Sequence, residues 1–254
     1  MLKLSFSTLP VMGMDAAELT ALCHRHGMQA EIRLAPDNSF PYSPDLPIVN
    51  LGSGICLRGY DRAQVATAKA LLEKAKEAGI AGVRVFLGNF CVRRDAPRAP
   101  IDRDGCVRAL KELCSVGVGV WVETHNEYAT SAALLPLMQD VGEPNIGIIW
   151  DVVHPIEDGE DIYTTYKNLK PYIRQIHVKD AKPHPDPMNH DWYYTKLGEG
   201  ELPIAEVVRL TREGGYEGTY SFEWEEAWRA ELKGVYTDPD TLLQDFKAYM
   251  EAIQ

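Results

Sequence analysis

Strand-sized apolar runs alternate with stretches of helical periodicity from one end of the chain to the other, which restricts the fold to a parallel α/β type. Leu2 to Ser7 reads as the first strand, and a helix from Asp15 to about His26 follows, with Gly27 as its stop. Further strands are expected at Gln29 to Leu34, Ile48 to Leu51, Val83 to Leu87, Gly119 to Glu123, Gly147 to Asp151, Ile173 to Lys179 and Gly218 to Glu223. Helices are expected from Asp61 to Gly79, around Val107, Leu110 and Leu113, and over 131–141, 162–169, 204–213 and 238–253. Pro36 to Pro47 holds four prolines, so the second helix is expected to be missing or irregular. At 254 residues the chain has the ordinary size of one α/β barrel, and a single domain over 1–254 is expected.

The formal net charge of -11 argues against a nucleic-acid partner, whose phosphates call for clustered Lys and Arg. A cation and a small substrate, neutral or locally clamped, fit better. The longest apolar runs are strand-sized and interrupted by charge, so no membrane span is expected. Met1 to Ser7 lacks the apolar region of a signal peptide, and a cytoplasmic location is the expectation. Five cysteines without a Cys-x-x-Cys pair read as reduced core thiols rather than a disulfide framework or zinc ribbon.

Four consecutive strands, the fifth to the eighth, close on an ionisable residue: Glu123, Asp151, His177 and Glu223. A buried parallel strand is a continuous apolar run, so such a group at its carboxyl end needs a partner or a ligand. In a parallel barrel those ends share one face, and residues roughly 25 to 45 positions apart become neighbours. Three carboxylates and an imidazole favour one divalent ion with open coordination positions, manganese, magnesium or cobalt before zinc. A lone acidic residue at a strand end is more often a helix cap or an ion-pair member; it is the ordered quartet that favours a metal.

Other candidates surround this set. His154 follows Asp151 by three residues in the same expected loop, while Lys179 shares parity with His177 and His125 with Glu123. Each is read either as a substrate contact or as a support for the ligands. Glu31 and Arg33 also share parity, as pocket residues or as a structural ion pair. Arg93, Arg94, Arg98 and Arg103 form a basic cluster after the fourth strand, either solvated or placed to meet an anionic substrate group. Pro183 to Tyr194 reads as a lid, with Trp192, Tyr193 or Tyr194 able to cover a substrate, and Trp228 as a further rim aromatic. His24 and His26, on the first helix, read as surface residues.

The segments Val122-Glu123-Thr124-His125-Asn126, Trp150-Asp151-Val152-Val153-His154, Ile176-His177-Val178-Lys179-Asp180, Leu197-Gly198-Glu199-Gly200-Glu201 and Phe222-Glu223-Trp224-Glu225 resemble the sugar phosphate isomerase/epimerase superfamily of xylose isomerase-like barrels. The resemblance is strongest over 118–225. It implies a TIM (β/α)8 barrel with Glu123, Asp151, His177 and Glu223 as ligands of one divalent ion, and His154 as a substrate contact. It further implies a sugar, ketose or related polyol ketone substrate, isomerised or epimerised through an enediolate that the metal stabilises, with Glu123 and Glu223 as acid and base. A homodimer is compatible with it. Elimination from the same intermediate, as in inosose or dehydroshikimate dehydratases, is the alternative. The endonuclease branch needs further histidines on the early strands, where Leu34, Leu51 and Leu87 stand instead. A noncatalytic barrel is the remaining reading.

Overall fold

The computed structural model describes residues 1–91 and 93–254. Its strands are β1 (Lys3–Ser7), β2 (Gln29–Arg33), β3 (Ile48–Leu57), β4 (Gly82–Leu87), β5 (Gly119–Glu123), β6 (Ile146–Asp151), β7 (Ile173–Val178), β8 (Asp180–Lys182), β9 (Tyr193–Thr195) and β10 (Thr219–Phe222). The helices are α1 (Ala16–His26), α2 (Arg62–Glu77), α3 (Arg103–Cys114), α4 (Ser131–Val141), α5 (Val153–Glu157), α6 (Ile162–Leu169), α7 (Ile204–Glu213) and α8 (Pro239–Ala252). Strands β1 to β7 pair in chain order, β10 joins β7 and closes on β1, and every one of these pairings is parallel. The expected TIM (β/α)8 barrel is therefore the observed one.

Local chemistry explains where the helices start. Asp15, Asp61, Asp102, Asp161 and Asp238 each accept backbone N–H groups of the helix that follows, and Asp15 completes a capping box with Glu18. These aspartates are caps, the ordinary role of an acidic residue at a loop-to-helix boundary. No helix forms over 34–47, as the prolines require.

The barrel floor is packed around Trp121. A Cβ at Gly82 would collide with its indole, one at Gly119 would stand 2.5 Å from it and one at Gly147 2.9 Å, so three neighbouring strands carry glycine where the ring lies. Two residues on, Glu123 points the same way, one layer nearer the mouth.

Four features depart from the sequence reading. β3 continues past Leu51 to Leu57, through Gly52-Ser53-Gly54, with a register irregularity against β4 between Gly52 and Cys56. His154 lies on the short helix α5 rather than in a loop. Beyond β7, β8 and β9 form an antiparallel pair that carries the expected lid segment. His26 is buried, not on the surface, and its Nε2 lies 2.7 Å from Asp240 Oδ1, tying α1 to α8.

Candidate active site and metal centre

Glu123 ends β5, Asp151 ends β6, His177 is the penultimate residue of β7 and Glu223 directly follows β10. All four are buried, and one ligand atom from each lies within 4.8 Å of those of the others. His177 Nε2 is 2.7 Å from Glu31 Oε2, which turns the other ring nitrogen inward. That Nδ1 lies 3.4 Å from Glu223 Oε2 and 3.8 Å from both Glu123 Oε2 and Asp151 Oδ2, with no hydrogen-bond partner among the described residues. A buried nitrogen aimed at three carboxylates and backed by a fourth is the arrangement a metal-ligating histidine takes. The donor set therefore fits a divalent ion. Burial pushes the His177 imidazolium down, but Glu31, Glu223, Asp151 and Glu123 overrule it and hold the group well above its ordinary range. The cluster demands positive charge, so a proton and a metal ion compete for it.

Two buried cations also meet the carboxylates. Lys179 Nζ lies 2.8 Å from Asp151 Oδ2, 2.5 Å from Glu223 Oε2 and 2.7 Å from Glu225 Oε1. Arg84, on β4, places Nη1 2.8 Å from Glu123 Oε2. The two candidate proton-transfer groups are driven apart. Burial raises Glu123, only partly countered by Arg84 and His177, and leaves it at about 7. Burial also opposes ionisation of Glu223, but Lys179, His177 and Arg84 outweigh it and keep this carboxyl well below its usual value.

The remaining sequence candidates fall on both sides of the cluster. His154 Nε2 lies 3.5 Å from Asp151 Oδ2 without a hydrogen-bond partner among the described residues, and its Nδ1 is 2.8 Å from Glu157 Oε2. Burial lowers it, yet Asp151 and Glu157 raise it to about 9. His125 is partly exposed, its ring 4.1 Å from that of His154, and burial followed by the charge on His154 keeps it well below its ordinary value. Arg33 stands at the rim, with Nη1 3.7 Å from Glu223 Oε1 and the guanidinium 5.4 Å from the exposed Trp228 ring.

Glu31 is not open to the pocket. It is wholly buried, and Oε2 meets His177, Gln175 and Ser221, so it braces the histidine from behind. Trp192 is half-buried against the core, with its backbone N–H donated to Glu157 Oε1 at 2.7 Å. The lid is thus fastened down, and Arg229 adds contacts to Asp191 and to the Tyr194 ring. The four arginines after β4 all have carboxylate partners: Arg93 with Asp95 and Asp186, Arg94 with Asp158, Arg98 with Glu127, and Arg103 with Asp104 and Asp140. These pairs join the lid and outer loops to the barrel.

The sequence reading missed Arg84 and Glu157. Arg84 was visible as a charge inside the apolar run Val83-Arg84-Val85-Phe86-Leu87. The Gly198-Glu199-Gly200-Glu201 motif holds a carboxylate in place, since Gly198, Gly200 and Leu202 donate their backbone N–H groups to Asp180. A Cβ at Gly200 would collide with Asp180 Oδ1.

Residues 5–247 match the family model described as xylose isomerase-like TIM barrel, and the chain belongs to that family. A curated relative, the uncharacterized protein MJ1311 of Methanocaldococcus jannaschii, is 28% identical over 96 residues. That match covers 37% of this chain and only 31% of the relative's length. Among solved structures, the IolI protein with a bound zinc atom superposes with a TM-score of 0.78 at 17% identity, over 99% of this chain and 98% of that one. D-allulose 3-epimerase from Methylomonas sp. gives 0.74 at 18% identity, over 100% and 98% of the two chains. The probable 3-DHS dehydratase AsbF from Bacillus anthracis gives 0.71 at 17%, over 99% and 98%. At these identities the likeness to solved structures is one of fold.

Proposed function

We propose that the protein is a divalent-metal-dependent isomerase or epimerase acting on a ketose or related polyol ketone, with Glu123, Asp151, His177 and Glu223 as the metal ligands. The observation that carries this reading is the unpartnered Nδ1 of His177, fixed by Glu31 and facing three buried carboxylates. A divalent ion held there supplies Lewis acidity toward a carbonyl and an adjacent hydroxyl, which makes the carbon-bound proton more acidic. Glu223 has Oε2 engaged by Lys179 and is kept ionised, so it takes that proton on Oε1. Glu123 has Oε2 engaged by Arg84, so it is the group placed to return a proton from Oε1, having first taken one up from solvent. His154 Nε2 and Arg33 are the groups left to contact substrate oxygens. The likeness to a solved D-allulose 3-epimerase supports the same reading.

A dehydratase is the second reading, favoured by Lys179. Its ammonium touches the proposed base, so a proton donor for a departing hydroxyl stands beside the group that takes the proton. The metal-loaded protein incubated with a panel of ketoses in heavy water separates the two. Solvent deuterium entering the substrate or its isomer without loss of water is the expected result; an enone product would transfer the assignment to elimination. No exchange with any ketose, in protein shown to hold metal, would contradict both.

A further inference from the structure

Arg84 is wholly buried and belongs to none of the strand-end motifs. Its Nη1 lies 2.8 Å from Glu123 Oε2 and 3.6 Å from both Glu31 Oε1 and Glu223 Oε1, among three carboxylates as a metal ion would be. Nε and Nη2 each stand 3.3 Å from the Ser53 carbonyl oxygen, and the guanidinium lies 4.5 Å from the Phe86 ring centroid, so the side chain is held on every side. Ser53 reaches it because β3 continues through Gly52-Ser53-Gly54.

The charges at this depth can be counted. Glu31, Glu123, Asp151 and Glu223 are four carboxylates at most 4% exposed, and among the described residues the buried Arg and Lys side chains in contact with them are Arg84 and Lys179. With His177 neutral as a ligand, two negative charges remain. One divalent ion cancels them, and a second would leave the buried cluster two positive charges in excess. Without Arg84 three negative charges remain, and Glu31 Oε1, Glu123 Oε2 and Glu223 Oε1 are left facing the point where Nη1 stood, so one ion no longer balances the cluster and a second has oxygens to hold it. The groups around the cluster do not alter the count: His154 is paired with Glu157, and at the rim the negative charges of Glu225 and Asp191 are matched by the positive charges of Arg229 and Arg33.

We propose that Arg84 is a positioning residue standing where a second cation would otherwise be needed. It fixes Glu123 through Oε2 and sets the charge of the cluster so that the centre takes one divalent ion. This inference rests on the reading of the quartet as a metal centre. A merely structural ion pair would affect stability without altering how many ions bind, so metal stoichiometry is the decisive readout.

Equilibrium dialysis against excess Mn2+, followed by elemental analysis, is applied to the full chain, Arg84→Lys, Arg84→Met and the charge-balanced Arg84→Met/Glu31→Gln double variant. The expected result is one ion per chain for the unaltered protein, for Arg84→Lys and for the double variant, and two for Arg84→Met. No ion in the unaltered protein overturns the metal reading itself. One ion in the unaltered protein and one in folded Arg84→Met overturns the role of Arg84 and leaves the metal centre standing. If Arg84→Met does not fold even in Mn2+, the double variant decides: folding with one ion supports the charge count, and failure to fold or any other stoichiometry overturns it.

Discussion

Strands β5, β6, β7 and β10 bring groups that meet at one point, whereas β2, β3 and β4 bring Glu31, the Ser53 carbonyl and Arg84, which touch those groups or their braces from behind. The late strands end on their functional residues; the early ones carry theirs in or below the layer that faces the mouth. A ligand must have an open side, so it belongs at a strand end, while a brace must have none. Burial does not separate the two sets, since Asp151 and His177 are as wholly buried as Glu31 and Arg84. Partners do, because His177 Nδ1 is left unpaired among the described residues while Glu31 Oε2 and the Arg84 guanidinium are engaged, each contacting a member of the quartet by a charge-assisted bond.

That division can be broken from either side. The largest effect is expected from Glu223→Gln, which removes the proposed base: turnover should fall by about 10³-fold, with circular dichroism and the melting temperature of the metal-free protein showing an intact fold. Glu31→Gln should act on binding first, weakening metal affinity by roughly 10- to 100-fold in a calorimetric titration, because His177 loses a charged partner. The floor offers the control. Gly82→Ala puts a methyl group into the Trp121 ring and should cost about 1–3 kcal/mol in denaturant melts, with metal affinity unaltered.

A further expected effect is on pH dependence in the presence of chelator. Glu123 has a folded value of about 7 against an ordinary 4.5, and His154 about 9 against 6.5. Both are raised, so the folded state binds the extra proton: the Glu123 contribution is present below pH 4.5 and lost as pH rises through 7, and the His154 contribution is present below 6.5 and lost through 9. Below about pH 6.5 the Glu123 loss is opposed by His125, whose folded value lies well below its ordinary 6.5, and above it His177 acts in the same direction as His154. The chelated protein should therefore lose stability mainly between about pH 6.5 and 9, on the order of 1 kcal/mol per pH unit for each group that titrates. Melting temperatures measured across that range that rise instead would contradict the assigned environments.

The meeting of Glu123, Asp151, His177 and Glu223 was legible because a carboxylate or imidazole closing an apolar run is conspicuous, and the spacing of βα units brings four such ends onto one face. Parity also placed Lys179 correctly, on the side of its strand that faces the quartet. It could not tell which inward residues reach the pocket. Glu31 and Arg33 share a face of β2, yet one braces His177 and the other stands at the rim, because depth in the barrel depends on strand stagger. The expected third strand stopped at Leu51, before Gly52-Ser53-Gly54, since glycine weakens a strand; in the structure Gly52 pairs with Arg33 and Arg84 on either side and β3 runs on to Leu57. The β8–β9 pair was hidden by its long proline-bearing connection, whose anchors, Glu157, Arg229 and Asp186, lie elsewhere in the sequence or carry no local signal.

An anomalous-scattering map of crystals grown with Mn2+ tests the centre most directly. A single strong peak within bonding distance of Glu123, Asp151, His177 Nδ1 and Glu223 is the predicted result. A peak found instead among Glu157, His190 and Asp191, where the lid segment meets α5, or no peak in the barrel at all, would contradict it.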